Sequence, residues 1–204
     1  MRHTKEQAAV TYSKLLEAAL TVFSAKGYAA TTLEEIAKEA ETTRGAIYWH
    51  FKNKADLYNA LFREISLQSA AVATQAISEG GSCRETLARI MIRLLTQVET
   101  DDRLRAMMEI KLFKTGMVPE LMEGMQHQQK EGHLLLENIA GYLQQGIIAG
   151  DIRSDLDPME AARAFLAMLN GLMTLWLYDF RGFALGANAQ ALAEIFVRGM
   201  EPSR

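Results

Sequence analysis

Apolar residues recur at intervals of three and four along most of the chain, with polar residues between them. That is the period of an amphipathic helix. Over residues 6–26, Leu15, Leu16, Ala19, Leu20 and Phe23 make one apolar face, and Gly27 stands where a helix C-cap favours glycine. The stretch TTLEE follows. Thr32 as N-cap with Glu35 three residues on is a capping box. It predicts a short helix over 33–40 whose inner face is Leu33, Ile36, Ala37 and Ala40. Only Glu41, Thr42 and Thr43 separate it from a helix over 43–51, and two short helices across such a turn predict a helix-turn-helix.

Asn53 caps a fourth helix, from Lys54 to about Ile77. EGGS at 79–82 breaks the pattern, and Ser82 with Glu85 forms a second capping box for a helix to about Thr100. A helix from Asp102 to about Lys114 is interrupted by TGMVP, and Pro119 suits the first turn of a long helix to about Ile148. AGDIRSDLD reads as a loop. Asp157-Pro158 opens an apolar helix to about Phe180, and a last helix runs over about 188–200. The fold class predicted is all-α, three short helices followed by six. The boundary falls near residue 54: a helix-turn-helix domain over 1–54 and a second domain over 55–204, with the fourth helix as the link.

Composition adds limits. Hydrophobic residues make up 49% of the 204, enough for a sizeable core. The single cysteine, Cys83, cannot form an internal disulfide. The N-terminal stretch has no apolar region of a signal peptide. The most apolar run, 165–180, is shorter than a membrane span and contains Asn170 and Asp179, so it reads as a core helix. These features imply a cytoplasmic protein. Net charge is −3, but residues 1–54 carry eight Lys/Arg against six Asp/Glu, a net +2, which leaves −5 for the rest. The positive end is the N-terminal one.

On a helical wheel of residues 43–52, Thr43, Ile47, His50 and Phe51 share one side, and Gly45, Tyr48, Trp49 and Lys52 the other. Ile47 and Phe51 are core residues. Tyr48, Trp49 and Lys52 face outward, and Gly45 leaves bare backbone where another surface can approach. Arg44 can pair bidentately with a guanine edge in the major groove. Tyr, His and Lys side chains suit phosphates, and Lys54 with the amides opening the fourth helix makes an anion site. The alternative is a hydrophobic protein-binding patch on Tyr48 and Trp49.

The stretch ATTLEEIAKEA and the motif TRGAIYWHFKNK, followed by ADLYNAL, resemble the DNA-binding domain of the TetR family of bacterial repressors. The likeness is greatest to the Acr-type and Ttg-type branch, which controls multidrug efflux pumps. It is dense over about residues 4–62 and weaker through MMEI at 107–110 and NGLMTLWL at 170–177. The resemblance implies a TetR-like fold in which Arg44, Gly45 and Ala46 face bases, and Thr32, Tyr48, Trp49, His50 and Lys54 hold phosphate or sugar. It agrees with the wheel for Tyr48 and Trp49. For His50 the wheel puts the ring at the core boundary, and the two readings stay open. The chain departs from the family in the turn, where Gly-Val-Thr becomes Glu41-Thr42-Thr43. Glu41 must then hold a left-handed backbone at a cost of roughly 1 kcal/mol, or adopt another conformation.

The resemblance also implies that the second domain binds an inducer and forms the dimer. The residues give independent support. The helix over 158–180 is apolar on nearly every side, so one face can fill its own core while a second meets a partner subunit, making a four-helix bundle with the last helix. The alternative is a buried central helix in a monomer. Eleven methionines are present, and Met107, Met108, Met122, Met125, Met168 and Met173 fall on helices around the expected pocket. As ordinary core fillers they need no ligand. Asn170 is a lone amide among apolar residues and needs a carbonyl, a water or a ligand as partner. By resemblance Met108, Leu112, Leu135, Ile139, Leu169, Asn170 and Met173 line the pocket, with Trp176 one turn further on. Where some relatives carry a histidine pair and Cys-Glu, this chain has Lys111-Leu112-Phe113-Lys114-Thr115. The ligands expected are large, lipophilic and partly aromatic.

The reading is therefore a repressor that binds double-stranded operator DNA as a homodimer through its last two helices, with no cofactor and no membrane partner. A regulator of metabolic, lipid or stress genes, repressor or activator, is the alternative. A helical metalloenzyme is remote. His127 and Glu131 are spaced i, i+4 with His133 near, but no second ligand pair is visible.

Overall fold

The computed structural model describes residues 2–116, 118–179 and 182–202, apart from the side chains of 2–4, 123 and 125. Met125 and the expected helix end at Phe180 lie outside these. Among the described residues there are nine α-helices and no strand: α1 Arg2–Ala30, α2 Leu33–Glu39, α3 Arg44–His50, α4 Lys54–Ser78, α5 Cys83–Thr100, α6 Asp102–Glu109, α7 Met122–Ile148, α8 Pro158–Tyr178 and α9 Leu185–Arg198. A π-helical turn, Ile110–Lys114, continues α6, and a 3-10 turn, Pro119–Leu121, precedes α7.

The caps sit where the side chains direct them. Thr32 Oγ1 accepts the Glu35 amide at 3.2 Å while Glu35 Oε2 accepts the Thr32 amide at 3.0 Å. Lys26 pairs with the same carboxylate, and mainly through that bond the Glu35 pKa falls to about 2. Ser82 and Glu85 repeat the box at α5. Asp157 Oδ1 accepts the Met159 and Glu160 amides at 2.8 and 2.9 Å, with Pro158 in the first turn of α8. The first helix is longer than its periodicity predicts. It extends over Arg2–Ala30 and is broken at Gly27, whose backbone (φ 75°, ψ 170°) is not helical.

Contacts divide the chain into two units. One unit contains residues up to Leu67 together with Arg103–Gln126. Its core joins Leu15, Leu16, Phe23, Ile36, Ile47, Leu57, Leu61, Met107 and Ile110, all fully or almost fully buried. Phe23, Tyr28, Tyr58 and Phe62 form an aromatic chain through it, with Tyr28 and Tyr58 edge to face at 5.0 Å.

The other unit contains Gln68–Asp102 and His127–Arg204. Amphipathic α5 is its axis, burying Leu87, Met91 and Leu95, and α9 packs along it. Ala184 cannot cap α9 with a side chain, so Glu99 of α5 does: its Oε2 accepts the Gly186 amide at 2.6 Å. Cys83 is buried here, and burial pushes its thiol up to about 12, so it stays a neutral core residue.

Candidate nucleic-acid interface

The second and third helices are set by their turn. Ala40, Glu41 and Thr42 return amides to the carbonyls of Ile36, Lys38 and Ala37, and Glu41 adopts φ 51°. Of the two outcomes open to Glu41, the structure shows the left-handed backbone. Glu41→Gly removes its Cβ strain at some cost in chain entropy, and about 0.5–1 kcal/mol of stability is the expected gain. Differential scanning calorimetry should show a rise of roughly 1–4 °C in Tm, and DNA affinity should rise with it. A fall in both would mean that Glu41 makes contacts that outweigh the strain.

Thr43 caps α3, its Oγ1 accepting the Ala46 amide at 3.2 Å. Ile47 is fully buried, and Phe51, 3% exposed, already lies in extended backbone just past the helix, stacked on Tyr12 at 5.1 Å. These two residues anchor α3 and turn its other face out. Trp49 is 72% exposed and Tyr48 is 49% exposed. Gly45 is exposed, and a Cβ there would meet only Thr43 Oγ1, at 3.7 Å. Thr43, Arg44 and Lys52 are exposed too, and Ala46 is half-buried. His50 is half-buried among Tyr12, Trp49 and Phe51, and burial lowers its pKa, which favours the neutral ring. Thr32 is exposed at the start of α2, its hydroxyl engaged in the capping box.

Arg44 does not wave free. Its guanidinium pairs with Glu34 of α2, donates to Tyr48 Oη at 3.1 Å and lies 5.5 Å from the centre of the Tyr48 ring. Lys54 departs from the anion site expected of it. Its Nζ donates to the carbonyls of Tyr28 and Thr31, both at 3.0 Å, stands 4.3 Å from the Tyr28 ring centre and 3.8 Å from Glu120. The ammonium is thus a clamp on the end of α1. The start of α4 is engaged as well, with Asp56 N donating to Asn53 Oδ1 at 2.8 Å. On α3 and just past it the exposed cations are Arg44, held by Glu34 and Tyr48, and Lys52.

Sequence reasoning missed a seam within this unit. Arg103 of α6 pairs with both Glu17 of α1 and Glu64 of α4. Lys114 Nζ donates to Ser24 O at 2.7 Å, and the hydroxyls of Thr115 and Tyr58 meet at 2.7 Å. A Cβ on Gly27 would come within 2.7 Å of Lys114 O. No local pattern marks these residues, because their partners lie up to 90 positions away.

The eight residues expected to bind ligand are spread over both units. Met108 and Leu112 belong to the unit that holds α3, half-buried and exposed respectively. Within the other unit Leu169, Met173 and Trp176 are buried on one stripe of α8, Ile139 is half-buried and Leu135 is exposed. Asn170 lies just past the edge of that stripe, exposed, and donates to Leu166 O at 2.8 Å. A neighbouring carbonyl is the partner its amide required. A shallow groove of about 630 Å³ between α1 and α2 and one of about 300 Å³ between α8 and α9 are lined by none of the eight. His127 faces Glu131 at 3.2 Å and His133 faces Glu137 at 3.3 Å, both as exposed pairs one turn apart. Among the described residues no three potential ligands cluster around a metal position, and no helix is long and apolar enough to cross a membrane.

The family described as "Bacterial regulatory proteins, tetR family" matches residues 15–61, and "MAATS-type transcriptional repressor, C-terminal region" matches residues 84–202. The HTH-type transcriptional regulator AcrR of Shigella flexneri is 35% identical over 96% of this chain and 92% of its own length. Among solved structures, NalD, the secondary repressor of the MexAB-OprM multidrug efflux pump in Pseudomonas aeruginosa, superposes with a TM-score of 0.84 at 28% identity, over 96% of this chain and 98% of that one. SmeT in complex with triclosan, from a repressor of the Stenotrophomonas maltophilia efflux pump SmeDEF, gives 0.81 at 27% identity, over 94% and 92%.

Proposed function

The chain belongs to the TetR family of bacterial transcriptional regulators, and on that premise we propose that it represses a multidrug efflux or related operon and is released from its operator by a lipophilic small molecule. The observation that carries this is the outer face of α3. Two core anchors, Ile47 and Phe51, present Arg44, Gly45, Tyr48, Trp49 and Lys52 on one exposed surface. A helix so mounted suits the major groove, with Arg44 at its N-terminal end toward base edges and the rings and Lys52 toward the sugar-phosphate backbone.

The operator is read by a homodimer. Leu175 and Tyr178 stand exposed on the side of α8 away from its buried stripe, and Ile195 stands exposed on α9. Large apolar side chains exposed on the last two helices, Leu175 and Ile195, support a partner surface there. Ligand entry is then coupled to DNA through α4, which supplies residues to both units. Within the unit that holds α3, α6 and the π-helical turn are clamped to α1 and α4 by Arg103, Lys114 and Thr115. A ligand that favours the DNA-incompetent arrangement lowers operator affinity by its preference between the two states.

The test is release. The protein bound to a duplex from its own upstream region is titrated with triclosan and with other lipophilic aromatic compounds. Dissociation at a defined ligand concentration is expected. Nearly complete release requires a preference of about 5.5 kcal/mol for the unbound state. Unchanged DNA affinity across a broad lipophilic panel would contradict the inducer half of the reading.

A further inference from the structure

Arg44, the residue best placed to read a base, is already occupied. Glu34 sits in the first turn of α2 and reaches across the Ala40–Thr43 turn to its guanidinium, while Tyr48 takes a second donor at 3.1 Å. Both charged side chains are more than half exposed, so DNA can reach them. The contact does not serve the core. It is a surface pair whose direct contribution to stability is small.

Its chemistry points elsewhere. Glu34 meets Arg44 Nη1 through one oxygen while Nη2 donates to Tyr48 Oη, whereas the O6/N7 edge of guanine is neutral and offers a guanidinium two acceptors. A phosphate also offers two oxygens, but it brings a full negative charge against Glu34, which the neutral guanine edge does not. Glu34 is therefore an internal competitor that a phosphate displaces only against like-charge repulsion. A random duplex brings phosphates but no guanine edge in register, and it also brings negative charge toward Glu34.

We propose that Glu34 is a specificity-determining residue: it masks Arg44 from non-specific phosphate contact and yields it only to a base edge. The inference rests on the DNA-binding reading of α3. On non-operator DNA the Arg44–Glu34 pair stays closed and the face is one cation poorer. On the operator the guanine edge exchanges with the carboxylate.

The experiment compares wild type, Glu34→Gln, Arg44→Ala and the double variant on two duplexes, one from the protein's own upstream region and one scrambled, over a range of salt. Glu34→Gln should raise affinity for the scrambled duplex about 3–10-fold and steepen its salt dependence by about 0.9 in log K against log salt, the signature of one added phosphate contact. In the Arg44→Ala background the same substitution should leave the scrambled-duplex slope unchanged, because the group it unmasks is gone. If Glu34→Gln raises affinity equally with and without Arg44, it acts only by removing a negative charge, and masking is refuted. An unchanged slope in Glu34→Gln refutes it as well. Failure of wild type to prefer its own duplex would instead overturn the DNA-binding reading itself, so the two failures are told apart.

Discussion

Gly27→Ala is expected to destabilise the protein by about 2–4 kcal/mol and to disturb the seam between α1 and the π-helical turn. Two effects combine at this residue. Its backbone (φ 75°, ψ 170°) lies in a region that is essentially reserved for glycine, where a side chain costs about 1–3 kcal/mol. Its added Cβ would also meet Lys114 O at 2.7 Å, and the obstacle is backbone, so relief requires the π turn or the end of α1 to move. Chemical denaturation should show the midpoint falling with little change in the m-value. Because the same displacement loosens the Lys114–Ser24 bond, the variant should bind DNA more weakly even where it is folded. Wild-type stability in Gly27→Ala would mean that this close approach does not exist in solution.

Lys54→Met is expected to cost about 2–4 kcal/mol, a fall of roughly 5–12 °C in Tm, because it strips charge-assisted bonds from two carbonyls at the end of α1 and leaves Tyr28 O only the Thr31 amide, at 3.3 Å. The diagnostic lies in the DNA arm. An ammonium that holds phosphate contributes about one to the salt slope. An ammonium spent on Tyr28 O, Thr31 O and Glu120 contributes nothing, so the slope of the folded variant should match wild type while its Tm drops. A shallower slope with an unchanged Tm would return Lys54 to the phosphate-binding face.

These two residues show where sequence reasoning reaches and where it stops. The caps were legible because each is a local bargain: Thr32 with Glu35, Ser82 with Glu85 and Asp157 with the amides of Met159 and Glu160 lie within three residues of one another. The burial of Ile47 and the exposure of Tyr48 and Trp49 followed from helical period, whereas Phe51 reaches the core from extended backbone just past the helix. Gly27 was visible as a stop signal but not as a contact, since Lys114 lies 87 positions further on and no spacing rule links them. Arg103 looks in sequence like any solvated helix charge, yet it ties α6 to Glu17 and Glu64. Lys54 carried a pattern that suits a phosphate, and tertiary packing assigned its ammonium to α1. The extra turn at Ile110–Lys114 was hidden because a π turn and an α turn have the same composition and differ only in which carbonyl each amide finds.

The central claim is that the outer face of α3 reads a DNA sequence as part of a dimer. Fluorescence anisotropy of a duplex from the protein's own upstream region, against a scrambled duplex and over a range of salt, tests it most directly. Tight binding to the first duplex and weak binding to the second are expected. For a dimer neutralising roughly six phosphates, log K should fall with log salt at a slope of about −5. Equal affinity for both duplexes, or a slope near zero, would contradict it.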